Sequence, residues 1–137
     1  MSSSISDTNK ERVNAWFAAL AAADSLALRE LMSEEVELFT APSVRVGAVS
    51  GRDAAQSRLE QVLSSGSHFA ACSLRCRVLD IVAEGDQTAA HVIMSGRFSD
   101  GKPYESIYIV WQRWRDGKLI YQLELFDVAH KNFQRES

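Results

Sequence analysis

Two ionisable side chains, His91 and Glu124, stand in segments that are otherwise rich in Val, Ile, Leu and aromatic residues. A carboxylate in apolar surroundings is costly to keep charged, so its pKa rises, and a neighbouring imidazole can oppose that rise by forming an ion pair. Either way the pair titrates near neutrality, where a general acid or base works best. The alternative is an ordinary cross-strand pair with a structural role. Catalysis therefore requires both side chains to project from neighbouring strands into one apolar chamber.

The two cysteines, Cys72 and Cys76, predict neither a disulfide nor a metal site. On one strand they would lie about 13 Å apart at ~3.3 Å per residue, beyond the roughly 4.4–6.8 Å between Cα atoms that a disulfide tolerates. No further ligand stands near them at zinc-site spacing. We expect two buried thiols and no bound metal.

The composition is that of one globular domain, and it excludes several classes of partner. The 137 residues have a formal charge of -3, and 15 Lys and Arg are scattered among 18 Asp and Glu, which leaves no basic surface for nucleic acid or anionic lipid. No apolar run approaches the roughly 20 residues that span a bilayer, and residues 1–4 lack the layout of a signal peptide. We expect one cytoplasmic domain over residues 1–137, with loose termini at 1–6 and 130–137.

Helical periodicity dominates the first half of the chain. Residues 8–11, Thr-Asn-Lys-Glu, form a capping-box pattern, and apolar side chains then follow at the i, i+3, i+4, i+7 spacing of one helix face. These side chains are Val13, Trp16, Phe17 and Leu20. The spacing predicts a helix that buries Trp16, with ligand contact as the alternative role of this ring.

Two further helices and a short strand complete the first half. Residues 24–25, Asp-Ser, are suited to cap a second helix, and residues 50–53 to open a third one that ends near 64–66. Between them, residues 36–40 predict a strand that Pro42 stops.

Strand-like segments fill the second half of the chain. Four of them are rich in Val, Ile, Leu and aromatic residues, and they span residues 69–83, 87–98, 104–115 and 118–127. Turn-forming residues separate them, and Asp116-Gly117 is the strongest local signal for a two-residue hairpin. Short connections force neighbouring strands to run antiparallel. The chain is therefore predicted to be an α+β fold, with three N-terminal helices packed on one face of an antiparallel sheet.

This order of elements, with Gly-Arg-Asp-Ala at 51–54 opening the third helix, resembles the nuclear-transport-factor-2-like superfamily. The ending Asp-Gly-Lys-Leu at 116–119, followed by Phe-Asp at 126–127, resembles its SnoaL-like branch, which includes polyketide cyclases and ketosteroid isomerase-like proteins. The resemblance implies a strongly curved sheet that forms a cone with an internal pocket for a small hydrophobic molecule. It implies no cofactor and no single activity, because members include isomerases, cyclases, dehydratases, epoxide hydrolases and domains without chemistry.

From Gly101 to Asp127 the chain also resembles limonene-epoxide-hydrolase-like members without gaps, and this register implies which strand faces line the pocket. Since side chains alternate along a strand, each implied set stands or falls as a unit. The implied pocket residues are Leu38, Thr40, His91, Ile93, Ser95, Ser106, Tyr108, Val110, Gln122, Glu124 and Phe126.

The same resemblance implies catalytic roles for three of these residues. Glu124 stands where the cyclases and epoxide hydrolases place a functional Asp, and it would abstract a proton next to a carbonyl group. His91 stands where the hydrolases place an orienting Arg, and Tyr108 would stabilise the developing oxyanion. Epoxide hydrolysis is not expected, because the position of the second carboxylate is Ile93. Ala41 stands where ketosteroid isomerases place their base, so their mechanism is not expected either.

Two hypotheses of different classes remain. The first is a cofactor-free lyase, isomerase or cyclase that acts on a small hydrophobic carbonyl compound. The second is a module that binds an apolar metabolite, or dimerises, without catalysis. Family members often dimerise through the outer face of the sheet, and the side chains suited to this are Ile107, Ile109 and Trp111.

Overall fold

Four helices and six strands are formed by residues 4–40, 48–64 and 69–136, which are the residues that the computed structural model describes. In chain order they are α1 (Ile5–Ala21), α2 (Ser25–Leu31), β1 (Met32–Thr40), β2 (Val49–Ser50), α3 (Arg52–Leu63), β3 (Arg75–Glu84), β4 (Gln87–Arg97), β5 (Pro103–Arg115), β6 (Lys118–Leu125) and α4 (Val128–Glu136). The predicted α+β class is confirmed. None of the helices in these ranges has the length and apolarity that crossing a bilayer requires.

The six strands form one open, mixed sheet in the order β2-β1-β6-β5-β4-β3. Strands β3 to β6 are a meander of antiparallel neighbours, as the short turns predict. Strand β1, however, pairs with β6 in parallel, and the prediction of an antiparallel sheet is wrong at this position. A turn dictates antiparallel pairing only between strands that it joins directly, and β1 and β6 are separated by most of the chain.

The ends of the helices follow local capping groups. Ser4 Oγ accepts a hydrogen bond from the Asp7 amide at 3.0 Å, so α1 starts one turn before the predicted capping box at residues 8–11. The predicted cap of α2 is confirmed, because Asp24 Oδ1 accepts from the Ala27 amide at 3.1 Å. In both helices a side-chain oxygen satisfies an amide that has no partner within the helix.

One helix follows the sheet, so the helices are not confined to the N-terminal half as predicted. Asp127 Oδ1 accepts from the His130 amide at 2.9 Å, which starts α4 directly after β6. Residues 130–136 are therefore helical, although the sequence predicted loose ends at 1–6 and 130–137. At the other end, residues 5 and 6 belong to α1, and residues 1–3 lie outside the described ranges.

The turn between β5 and β6 has the predicted hairpin geometry. Asp116 has a φ of 51° and Gly117 a φ of 75°, and both values lie in the left-handed region that a type I′ turn requires. A Cβ atom at Gly117 would also lie 3.2 Å from Arg12 Nε on α1. Glycine is thus favoured here both by its backbone freedom and by the close approach of α1.

The even-numbered side chains of β4 and β5 share the core face of the sheet. On β5 the buried residues alternate from Tyr104 to Trp114, and on β4 the same pattern includes Val92 and Met94. Even-numbered residues of β4 pair with even-numbered residues of β5, because Arg97 pairs with Pro103 across a connection, 98–102, that holds an odd number of residues. Paired residues point to the same face, so the even-numbered side chains of both strands lie together. Helix α1 packs on β3 and β4, α3 packs on β1, and α4 contacts β5.

Candidate functional site

A cavity of about 420 Å³ lies between the core face of the sheet and the helices α1, α3 and α4. Most of its walls are apolar or aromatic, and they include Trp16, Leu38, Phe69, Met94 and Phe126. A wider and more open depression of about 800 Å³ lies elsewhere, against the first residues of β5 and the end of α4. Small-molecule sites are typically enclosed, apolar and supplied with a few converging polar groups, so the smaller cavity is the candidate site.

Glu124 is the one carboxyl group among the described residues that line this cavity. Strand pairing sets it opposite Val110 on β5 and Thr40 on β1, near the end of β6. Loss of hydration raises the pKa of Glu124 to about 7 from its ordinary 4.5, while the ammonium of Lys131 acts in the opposite direction. Near neutral pH this carboxyl group can therefore both release and accept a proton.

Two tyrosines on β5 form a hydroxyl pair beside Glu124. The hydroxyl groups of Tyr104 and Tyr108 are hydrogen-bonded to each other, and either one can be the donor. Burial raises the pKa of both phenols, so both stay protonated at neutral pH. The ring of Tyr108 lines the cavity and stacks on Phe126, with 4.7 Å between the ring centroids. The arrangement presents a protonated phenol to a ligand in the cavity.

Further hydrogen-bonding groups lie in the wall. Gln112 Nε2 donates to Gln122 Oε1 at 2.7 Å, and this bond orients the cavity-lining Gln122 amide. The indole of Trp16 borders the cavity and is fully buried, and its Nε1–H has no acceptor within the described ranges. An unsatisfied buried donor costs free energy, which a ligand acceptor would recover.

Three predicted pocket residues on β4 are not in the cavity. His91 lies on the opposite face of the sheet, where its Nδ1 is 3.8 Å from Asp80 Oδ2 and both side chains are well exposed. Ile93 and Ser95 share this outer face by alternation, and the core face of β4 carries Val92 and Met94 instead. The prediction therefore assigned the side chains of β4 to the wrong faces, with a shift of one residue. The proposed pairing of His91 with Glu124 is excluded, because the sheet lies between them.

The other predicted site residues divide into three groups. Those that line the cavity as predicted are Trp16, Leu38, Tyr108, Gln122, Glu124 and Phe126. Ser106 and Val110 are on the predicted face but are buried outside the cavity lining, and Ser106 lies beside Tyr104. The backbone of Thr40 on β1 pairs with that of Glu124 on the neighbouring strand β6. The side chain of Thr40 lies outside the described part of the structure.

The sequence did not point to Lys131, Arg58, Met94 or Cys76 as cavity residues, although all four line it. The correct parity of β4 would have indicated Met94 and, through pairing with β3, Cys76. No local pattern indicated Lys131, which α4 carries to the cavity. Side-chain hydrogen bonds of Gln134 to both backbone groups of Glu105, at 3.0 and 2.9 Å, hold α4 against β5.

The two cysteines lie in different environments, and both are free thiols. Burial raises the pKa of Cys76 to about 11, so its thiol stays protonated. Cys72 is exposed at a turn before β3, contrary to the expectation that both thiols are buried. In the described part of the chain, no three His, Cys, Asp or Glu side chains are grouped so as to hold a metal ion.

Comparison with known families agrees with this architecture. Residues 13–122, from α1 to the middle of β6, match the SnoaL-like domain. The chain belongs to the SnoaL-like domain family. No curated protein is significantly similar to it in sequence.

Solved structures similar to this SnoaL-like chain cover nearly its whole length. A protein of Jannaschia sp. CCS1 that is named as a SnoaL-like polyketide cyclase is 20% identical to this chain. The TM-score is 0.83, and the match covers 100% of this chain and 97% of that one. A protein of Catenulispora acidiphila DSM 44928 with a ketosteroid isomerase-like fold, in complex with trimethylamine, is 15% identical, with a TM-score of 0.75 over 92% of each chain. An LEH-like epoxide hydrolase of M. tuberculosis is 12% identical, with a TM-score of 0.77 over 96% of this chain and 91% of that one. At such identities the likeness establishes the shared fold.

Proposed function

We propose that this SnoaL-like protein binds a small hydrophobic carbonyl compound in its cavity and catalyses a cofactor-independent proton transfer on it. The observation that carries the proposal is the carboxyl group of Glu124, whose pKa is raised to about 7 in an apolar cavity beside the protonated Tyr108. A base is most effective when its pKa is near the working pH. The proposal includes the cone-shaped pocket that the family resemblance implies. The cavity between the sheet and the helices supports this pocket.

The proposed step moves one proton and two electron pairs of the substrate. The Glu124 carboxylate takes a proton from the carbon next to the carbonyl group, and the electron pair of the broken C–H bond forms a C=C bond to the carbonyl carbon. The π electron pair of the carbonyl group moves onto its oxygen. Tyr108 donates a hydrogen bond to this oxygen when Tyr104 is the donor in the hydroxyl pair. If the substrate is a β,γ-unsaturated carbonyl compound, return of the proton from Glu124 to the γ carbon of the dienolate completes an isomerisation. If it has a second carbonyl group, attack of the enolate carbon on that group gives an alkoxide, and return of the proton from Glu124 to this alkoxide completes a cyclisation.

Epoxide hydrolysis is not proposed, in spite of the similar fold of the M. tuberculosis hydrolase. The position that implies a second carboxylate in the hydrolases is Ile93 in this chain. Among the described lining residues Glu124 is the one carboxyl group, so no other carboxylate of these residues takes that place.

Deuterium exchange on an apolar ketone tests the proposal. The probe is 2-acetylnaphthalene in deuterated buffer, and mass spectrometry measures deuterium uptake into its methyl group. We expect the wild type to accelerate exchange, with a rate that rises with pH through about 7 as Glu124 ionises. Glu124→Gln is expected to lower the rate by roughly 100-fold or more, the usual contribution of a general base. Equal rates for the two proteins would refute the role of Glu124.

The second candidate function is ligand binding without catalysis. It is favoured by the position of His91, which leaves Glu124 without the imidazole partner that the catalytic hypothesis required. Binding of 2-acetylnaphthalene by the wild type, with exchange no faster than in buffer, would identify this function. Deuterium exchange together with a binding measurement on the same probe therefore separates the two candidates.

We also propose that the outer face of the sheet joins two copies of the chain. Ile107 is 60% and Ile109 43% exposed, and Trp111 continues this apolar row on β5. Glu105 and Arg113 stand four residues before and after Ile109 on the same face. A twofold axis through Ile109 would bring the glutamate of one copy towards the arginine of the other, so the face is self-complementary in charge.

The oligomeric state tests this proposal. Ile109→Asp introduces a charge at the centre of the face and is expected to yield a folded monomer in sedimentation experiments. Leu26→Asp is the matched control, because Leu26 is 70% exposed and belongs to α2 and not to the apolar row on β5. A wild type that sediments as a monomer, or a dimer that survives Ile109→Asp, would contradict the assigned face.

A further inference from the structure

The described cavity lining carries more cationic than anionic side chains. Arg58 on α3 and Lys131 on α4 are cations, and Glu124 is the one carboxyl group among the described lining residues. Since its pKa is raised to about 7, Glu124 carries only part of a negative charge at neutral pH. The cavity is therefore positively charged before a ligand enters.

Lys131 is a partly buried cation that lies against aromatic rings. Its Nζ is 4.8 Å from the ring centroid of Phe69 and 5.8 Å from that of Phe126. No ion pair joins Lys131 to a carboxylate within the ranges 4–40, 48–64 and 69–136. Burial, followed by the charge of Arg135, lowers the pKa of Lys131, which indicates that its ammonium group is incompletely hydrated.

Arg58 is the second cation that lines the cavity. It lies on the exposed side of α3 where this helix borders the cavity, and no hydrogen bond or ion pair ties its guanidinium group to another described residue. As far as the described ranges go, its five N–H donors are unoccupied, and their planar geometry matches a carboxylate.

We propose that the ligand of this cavity is an apolar molecule that bears a carboxylate, which Lys131 and Arg58 bind while Glu124 faces the apolar part. This ligand class rests on the proposed function and adds an anionic group to the hydrophobic carbonyl compound. Hydrogen bonds between charged partners are strongest where water is partly excluded, and Lys131 is such a position. A cationic ligand would instead be repelled by Lys131 and would require Glu124 to ionise.

A pair of probes that differ in charge tests this inference by titration calorimetry. The anionic probe is 2-naphthoate, and 2-naphthamide is its neutral counterpart of nearly the same shape. We expect the wild type to bind 2-naphthoate about tenfold more tightly, which corresponds to one hydrogen bond between charged partners. Lys131→Gln and Arg58→Gln are expected to reduce this preference, and their combination to abolish it.

Two control variants separate charge at the cavity from charge and folding in general. Lys131→Arg keeps a cation over the aromatic rings and is expected to retain the preference. Lys10→Gln removes the same charge from α1, at a position outside the cavity lining, and should leave the preference unchanged. Circular dichroism of every variant checks that the fold is retained.

The possible outcomes are distinguishable. Equal affinity of the wild type for both probes would refute the anionic ligand and leave the proposed binding of apolar molecules intact. If neither probe binds, binding of apolar molecules in the cavity fails as well. A preference for 2-naphthoate that survives the double variant would place the anion elsewhere, for example at Arg75 and Arg97 in the open depression, and would overturn the assignment.

Discussion

Replacement of Glu124 by glutamine should make the protein more stable at high pH. Glutamine has nearly the same shape but cannot ionise, so the variant does not have to hold a negative charge in the apolar cavity. In the wild type, loss of hydration raises the pKa of Glu124 from 4.5 to about 7 in the folded state. Folding therefore favours the protonated carboxyl group over the carboxylate.

The size and the sign of this effect follow from the two pKa values. A rise from 4.5 to about 7 corresponds to roughly 3 kcal/mol, because each pH unit is equivalent to ~1.4 kcal/mol. Since the folded-state value is the higher one, the stability that the protonated group contributes is fully present below about pH 4.5. It is lost as the pH rises towards about 7, and it is absent above that value.

Urea denaturation across the pH range measures the effect. Glu124→Gln is expected to equal the wild type within ~1 kcal/mol near pH 4.5 and to be more stable by about 3 kcal/mol near pH 9. Other titrating groups cancel in the difference between the two proteins. Glu37→Gln, at an exposed position on β1, is the matched control and should show no such dependence on pH.

A difference between Glu124→Gln and the wild type that does not change with pH would refute the reasoning. It would mean that Glu124 is well hydrated, so the cavity would not be the apolar enclosure on which the proposed base depends. An increase of the same size in Glu37→Gln would instead assign the effect to the net charge of the protein.

Three further substitutions test the architecture. Val92→Ala should lower the free energy of unfolding by ~2 kcal/mol because Val92 is buried, and His91→Ala by less than ~1 kcal/mol because His91 is on the outer face. Urea denaturation measures both values, and equal losses would contradict the assigned faces of β4. Asp127→Ala should weaken α4 by ~1 kcal/mol, seen as faster hydrogen exchange of residues 128–136, and unchanged exchange would mean that the cap is unimportant. Gly117→Ala should lower the free energy of unfolding by ~1–2 kcal/mol, because a φ of 75° is unfavourable for alanine. Thermal denaturation should show a lower Tm, and an unchanged Tm would argue against the type I′ turn.

Elements with a strong local signal were predictable from the residues themselves. Asp24 caps α2, and Asp116-Gly117 forms the hairpin, because each acts on backbone groups within a few residues. The core faces of β5 and β6 were placed correctly through the resemblance to known families, which brought Tyr108 and Glu124 together in the candidate site.

The face of β4 could not be chosen from its composition. Both of its faces carry apolar or small side chains, so Ile93 and Val92 fit the core equally well by residue type. The choice is made by the pairing across residues 98–102, and a shift of one residue there exchanges every side chain between the two faces. This is why His91 was wrongly placed beside Glu124.

The sequence by itself determined the α+β class, the antiparallel meander and a carboxyl group that shares one strand face with other cavity residues. The class and the meander follow from periodicity and turn chemistry, which act over short distances along the chain, and the alternation of side chains then keeps Glu124 on the face that the family resemblance implied. Only the tertiary structure decided that β1 lies parallel to β6, that His91 is outside and that Lys131 reaches the cavity. The physical reason is that each of these depends on contacts between segments far apart in sequence, whose pairing no local pattern encodes.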